Sequence, residues 1–246
     1  MSEEGVTPIR AAIRELARSI TENSTTGPQS PTSGEVKDFG AKTSPASYKH
    51  FRTFLDFTMS AKDCVDLVAN GREDVSDFLS ACSLRMAKDM NIATLCCVAL
   101  ANISGMPECR QHIAPTPMLI VILDAINAFP TEKKLVHLAC MTMSNLGLVP
   151  DLLLTQESSK AIVSAIAPLY AEHPVVEAWC AAVCNISSYD GTNRNLLVAA
   201  GAIETVERLL VFHGDVARVV HRGLQCLSNL SGAHVEMPPP PTVART

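Results

Sequence analysis

From Tyr48 to Ser231 apolar residues recur three and four positions apart almost without interruption. That spacing lines one face of a helix, whereas a half-buried strand would alternate. The clearest stretch reads Asn193–Ala199, Gly201, Ala202–Phe212, Gly214-Asp215 and Val216–Leu230. It predicts a short helix, a sharp turn, a medium helix, a short loop and a longer helix. Gly201 suits the sharp turn, because a break between two helices often needs positive φ. Further back, Thr7-Pro8 opens a first helix, with Thr as cap and Pro at the first helical position. Its residues Ile9, Ile13, Leu16 and Ile20 mark one face, and Arg10, Arg14 and Arg18 another.

The pattern divides the chain into four parts. Residues 1–21 form an amphipathic helix, expected to pack on the main body and cap its N-terminal end. Residues 22–46, rich in Ser, Thr, Pro and Gly, predict a flexible linker. Residues 47–232 form the helical body. Residues 233–246, with prolines at 238–241, cannot continue a helix and predict a disordered tail.

The helical body repeats. CVALANISG at 97–105, CMTMSNLG at 140–147, CAAVCNISS at 180–188 and CLSNLSG at 226–232 align on Asn102, Asn145, Asn185 and Asn229. These asparagines stand 43, 40 and 44 residues apart, within the roughly 40–47-residue period of helical-repeat arrays. A second marker keeps step: Leu67-Val68-Ala69-Asn70-Gly71 matches Leu197-Val198-Ala199-Ala200-Gly201, each followed by a helical run, Asp74–Leu84 and Ile203–Phe212. Pro115 and Pro117 break the chain at the corresponding place after Asn102.

With two markers in register, residues 61–231 resemble armadillo repeats, and 178–230, with NISSYDGTNRNLLVAAGAIETVERLL at its centre, most of all. The resemblance implies an all-α fold, a right-handed α-solenoid of about four armadillo-type repeats. It also implies a non-enzymatic scaffold or adaptor that binds a partner protein segment in the concave groove of the superhelix.

The four asparagines are the only repeated polar residues in otherwise apolar helices. A buried amide costs free energy unless it is paired, and two readings are open. Each asparagine can bond to neighbouring backbone and fix the stacking of repeats. Alternatively, as the resemblance implies, the asparagines line the groove and bond the backbone of a bound peptide, since an amide both donates and accepts. At about 100° per residue, the positions four and seven before each asparagine lie within about 40° of it. They give Val98, Met141, Ala181 and Gln225, and then Leu95, Leu138, Ala178 and Arg222. The expected groove residues are Asn102, Asn145, Asn185, Asn229, Val98, Met141, Arg222 and Gln225. Armadillo proteins that carry nuclear import signals resemble one another in a Trp four residues before this Asn; none stands there here. Trp179 falls six before Asn185, about 120° round the helix and towards the core. A nuclear-import adaptor is therefore the weaker alternative. The stronger one is a constitutive subunit docking through Val216–Leu230, which is apolar enough to need a neighbour; end-to-end self-association is a further outcome of such a surface.

Composition narrows the rest. Hydrophobic residues make up 47% of the chain and aromatics only 4%, so the core is Ala, Leu, Val, Ile, Cys and Met, which favours helices over strands. The net charge is −5 and the basic pair Lys133-Lys134 stands alone, which gives nucleic acid and anionic membranes little to hold. The longest apolar stretches, 118–129 and 135–154, are interrupted by Asp124, His137, Asn145 and Asp151, so no membrane insertion is expected. Nine cysteines, odd in number, without a CxxC pair and set in apolar runs, predict free buried thiols and an intracellular, cytoplasmic or nuclear, setting. Cys180 with Cys184, or His137 with Cys140, supplies two metal ligands where a structural zinc site needs four. No phosphate loop, GxSxG elbow or HExxH occurs. No catalytic residue, metal or cofactor is expected.

Overall fold

The computed structural model describes residues 13, 14, 17 and 18, scattered positions between 52 and 68, and residues 72–232 except 115, 116, 151 and 190. The predicted linker, the predicted tail and most of the predicted N-terminal helix lie outside the described residues. Among the described residues the chain is all-α, without a strand. From residue 72 on, ten α-helices follow in order: α1 Arg72–Met86, α2 Met90–Gly105, α3 Pro107–Ile113, α4 Met118–Ala128, α5 Lys133–Leu146, α6 Gln156–Ser164, α7 His173–Tyr189, α8 Gly191–Ala199, α9 Ala202–Phe212 and α10 Ala217–Leu230.

Local chemistry places their ends. Asp89 caps α2, accepting from the backbone N–H groups of Asn91 and Ile92 at 2.9 and 3.1 Å. Pro107 occupies the first turn of α3, where its missing N–H costs nothing. Thr155 and Ser158 form a reciprocal capping box on α6. Gly201 takes φ +90° between α8 and α9, as the sharp break there predicted.

The helices form two rows. The long helices pack in chain order, α2 on α5, α5 on α7 and α7 on α10. Behind them α1 packs on α4, and α4 on α6. The core between the rows is apolar and continuous, from Phe54 and Phe78 through Leu100, Ile122 and Met143 to Trp179 and Leu209. Trp179 is fully buried and donates its indole N–H to the carbonyl of Ile162 at 2.8 Å. At the N-terminal end Ile13 is fully buried, and Arg14 Nε donates to the buried carboxylate of Asp74 at 2.5 Å.

The short helix predicted for the clearest stretch is α8, and α3 is similar, but residues 152–155 are not helical. Asn193 holds this stretch instead. Its amide accepts from the N–H of Leu154 at 2.9 Å and donates to the carbonyl of Leu152 at 2.6 Å. A buried side-chain amide thus satisfies both backbone groups that a helix would otherwise pair. α6 and α9 do not pack along their lengths. A cleft of about 650 Å³, lined by Lys160, Tyr170, Ala199, Gly201, Thr205 and Arg208 among others, stands between them.

Candidate functional site

The four repeated asparagines stand on the row of long helices, each half-buried. Each bonds the preceding helical layer. Asn102 Nδ2 donates to Thr58 Oγ1 at 3.1 Å, and Asn145 Nδ2 to Ser104 Oγ at 3.2 Å. Asn185 Nδ2 donates to both the carbonyl and the hydroxyl of Ser144, each at 2.9 Å. Asn229 Nδ2 donates to the carbonyl of Cys184 at 2.9 Å and to its Sγ at 3.2 Å. The amides thus make a ladder running from one long helix to the next. The bond to neighbouring backbone considered from the sequence is present at Asn185 and Asn229, whereas Asn102 and Asn145 reach the preceding layer through side-chain hydroxyls. On no asparagine of the ladder does the amide oxygen accept a hydrogen bond from any described residue.

The neighbouring positions divide. Met141 is 43% exposed, whereas Val98 and Ala181 are half-buried beside the core. Arg222 is exposed and donates from Nη1 to Gln225 Oε1 at 3.1 Å, so these two predicted residues pair with each other. Tyr189 and Leu148, both exposed, add apolar surface at the C-terminal ends of α7 and α5.

The acceptors of the ladder, Thr58, Ser104, Ser144 and Cys184, were not singled out from the sequence. A signal existed: Ser144, Cys184 and Ser228 each immediately precede a ladder asparagine. Ser144 and Cys184 accept from the next asparagine of the ladder, while in the first layer the acceptor is Ser104, two residues after Asn102.

The eight cysteines whose side chains are described are buried, and none of them forms a disulfide. Cys97, Cys140 and Cys180 fall at one position of successive long helices, five before the asparagine, and lie close enough to perturb one another. Burial first, and neighbouring thiols second, push Cys140 up to about 12. Burial likewise leads at Cys180, pushed up to about 12, with Cys184 and Glu177 adding to the effect. Thiols held protonated in this way are poor nucleophiles and poor metal ligands. No group of three or more His, Cys, Asp or Glu side chains is arranged to hold a metal among the described residues. No single helix among them is long and apolar enough to cross a membrane.

No protein-family model matches the chain. No curated protein matches it either. Two solved structures of engineered proteins align with it. One, at 16% identity and a TM-score of 0.48, covers 89% of this chain and 96% of its own. The other, at 14% identity and a TM-score of 0.34, covers 92% of this chain and 100% of its own. Similarity at that level carries no argument about fold or function.

Proposed function

We propose that the chain is a right-handed α-solenoid of about four armadillo-type repeats, acting without catalysis as a scaffold or adaptor. Its partner is a protein segment laid along the row of long helices. The reading rests on one observation: four half-buried amides stand in register along that row, each donating to the preceding layer, and the amide oxygen of each accepts from no described residue. A row of acceptors at repeat spacing suits the backbone N–H groups of an extended peptide, as added strands are held elsewhere by main-chain bonds. Met141, with Leu148 nearby in sequence, offers apolar contact, and the Arg222–Gln225 pair offers a polar end.

The experiment must separate the surface from the scaffold, because removing the asparagines would also break the ladder. Met141→Glu and Arg222→Glu change exposed side chains only. The tagged chain is used to capture partners from its own cells beside this double variant, with both checked for equal melting by circular dichroism. A partner captured by the native chain and lost by the variant supports the groove. Identical capture by both sinks it.

A further inference from the structure

The gap between α6 and α9 is held open by the chain that crosses its end. α6 stops at Ser164, and after it comes only a short helical turn, Ala167–Leu169, with Pro168 inside it. Tyr170 then reaches the opposite wall. Its hydroxyl donates to the carbonyl of Arg208 at 2.5 Å, and its own carbonyl lies 2.8 Å from Nε2 of the buried His213. Two bonds from one residue thus set the distance between the walls at this end. The cleft they frame, about 650 Å³, falls within the roughly 300–1,000 Å³ of small-molecule sites.

Its lining sorts into an apolar floor and a cationic rim. Val163 and Ile166 line it from the α6 side and are buried; Val198 and Ala199 line it from the α8 side. Lys160 stands on one wall and Arg208 on the other, both exposed. The Arg208 guanidinium is already oriented. Its Nε donates to the carbonyl of Glu204 at 3.2 Å, and its Nη2 to Thr205 Oγ1 at 3.3 Å. Those bonds occupy the Nε–Nη2 edge and leave the Nη1–Nη2 edge, a fork that matches the two oxygens of a carboxylate.

The cations are not matched from within. Glu204 is the carboxylate in the lining, but a Cβ on Gly201 would stand 3.8 Å from its Oε2. The group is therefore turned towards the N-terminal end of α9, where the helix favours negative charge. No described carboxylate forms an ion pair with Lys160 or Arg208. The charge of Lys160 is felt by Glu157, an exposed residue of its own helix.

We infer that this cleft binds a small organic carboxylate with an apolar body. The carboxylate lies on the open edge of Arg208 with Lys160 facing it, and the apolar body covers Val163, Ile166 and Val198. Apolar walls alone would accept a neutral guest; two unmatched cations set the sign of this one. The site stands on the second row of helices, so neither it nor its test depends on the peptide groove.

The probe is pyrenebutyrate, a fluorescent carboxylate, beside its neutral counterpart pyrenebutanol. Each is titrated into the full chain, native and variant, with folding matched by thermal melting. The acid should bind, and the alcohol should bind roughly tenfold or more weakly, as expected when a bond to a charged group is lost. Arg208→Gln should weaken the acid by a similar factor and leave the alcohol unchanged. Lys160→Gln, which breaks no internal hydrogen bond, should weaken the acid by a smaller factor. Ala199→Phe, which fills the cleft, should weaken both, and Met141→Glu on the other row should change neither. No binding of the acid, or equal binding of acid and alcohol by the native chain, overturns the site. So does acid binding that survives unchanged in both Arg208→Gln and Lys160→Gln.

Discussion

At the scale of single residues, the asparagine ladder shows how one side chain serves two neighbours. Asn185 donates twice to Ser144 across the α5–α7 contact and fills the gap between the two helices with a hydrogen-bonded donor. Replacing it by Ala removes both bonds and leaves the Ser144 carbonyl without that partner. An intramolecular hydrogen bond is worth about 1 kcal/mol net, and an orphaned buried partner about 1–3 kcal/mol. Asn185→Ala should therefore lower unfolding stability by about 2 kcal/mol in urea titration, with the slope of the transition unchanged. A loss within error of zero would mean that the ladder does not support the stack. Asn145, with one bond to Ser104, should lose less.

The buried thiols act at the same scale but in the opposite sense. Cys140 and Cys180 hold their protons up to about 12 because burial penalises the thiolate, against an ordinary value of 9.0. The folded chain therefore binds more protons than the unfolded one once pH exceeds 9.0. Stability from these groups is whole below that pH and declines as pH rises through the folded values. Each thiol costs about 1.4 kcal/mol per pH unit in that window. Denaturation midpoints should be level from pH 7 to 8.5 and fall by pH 10, and Cys140→Ala should soften the fall. A level profile to pH 10 would show the thiols to be more accessible than the packing implies.

Among the elements, the third unit departs from its siblings. Leu152–Leu154 runs through the place where a short helix stands in the other complete units, and the Asn193 amide on α8 bonds backbone on both sides of Leu153. Asn193→Ala would leave one buried donor and one buried acceptor unpaired. Backbone amide exchange at Leu154 should then quicken by more than tenfold while exchange in α5 and α7 stays slow. Equal exchange at Leu154 in both proteins would place the restraint elsewhere. Gly147 shows why the C-terminal ends of the long helices are composed as they are: Ile186 N leaves no room for a Cβ. In α7 the equivalent Ser187 is accommodated by turning its hydroxyl back to the carbonyls of Val183 and Cys184.

Over the described residues, two rows of helices share one continuous core, and α5 and α7 each pack between two other long helices. Such a series has nearest-neighbour energetics, in which each layer is stabilised by the one it lies on. The cleft between α6 and α9 opens where the second row parts.

What the sequence by itself determined is the helical class, the long helix that ends at Leu230, the break at Gly201 and the spacing of the four asparagines. Apolar spacing, turn chemistry and repeat period are local properties, legible residue by residue. Trp179 was assigned to the core from its angle alone, and its indole is buried there. What only the tertiary structure decided is where side chains from different units meet. The asparagines' donors go to Thr58, Ser104, Ser144 and Cys184, residues 41 to 45 positions away, and only Ser144 and Cys184 share a local position, just before an asparagine. The loss of the short helix at 152–155 was equally hidden, because Leu152, Leu153 and Leu154 read as a helical run until Asn193 arrives from the next unit to bind their backbone. Pairing across units depends on the stack being formed, so its energetics are written in space rather than in the order of residues.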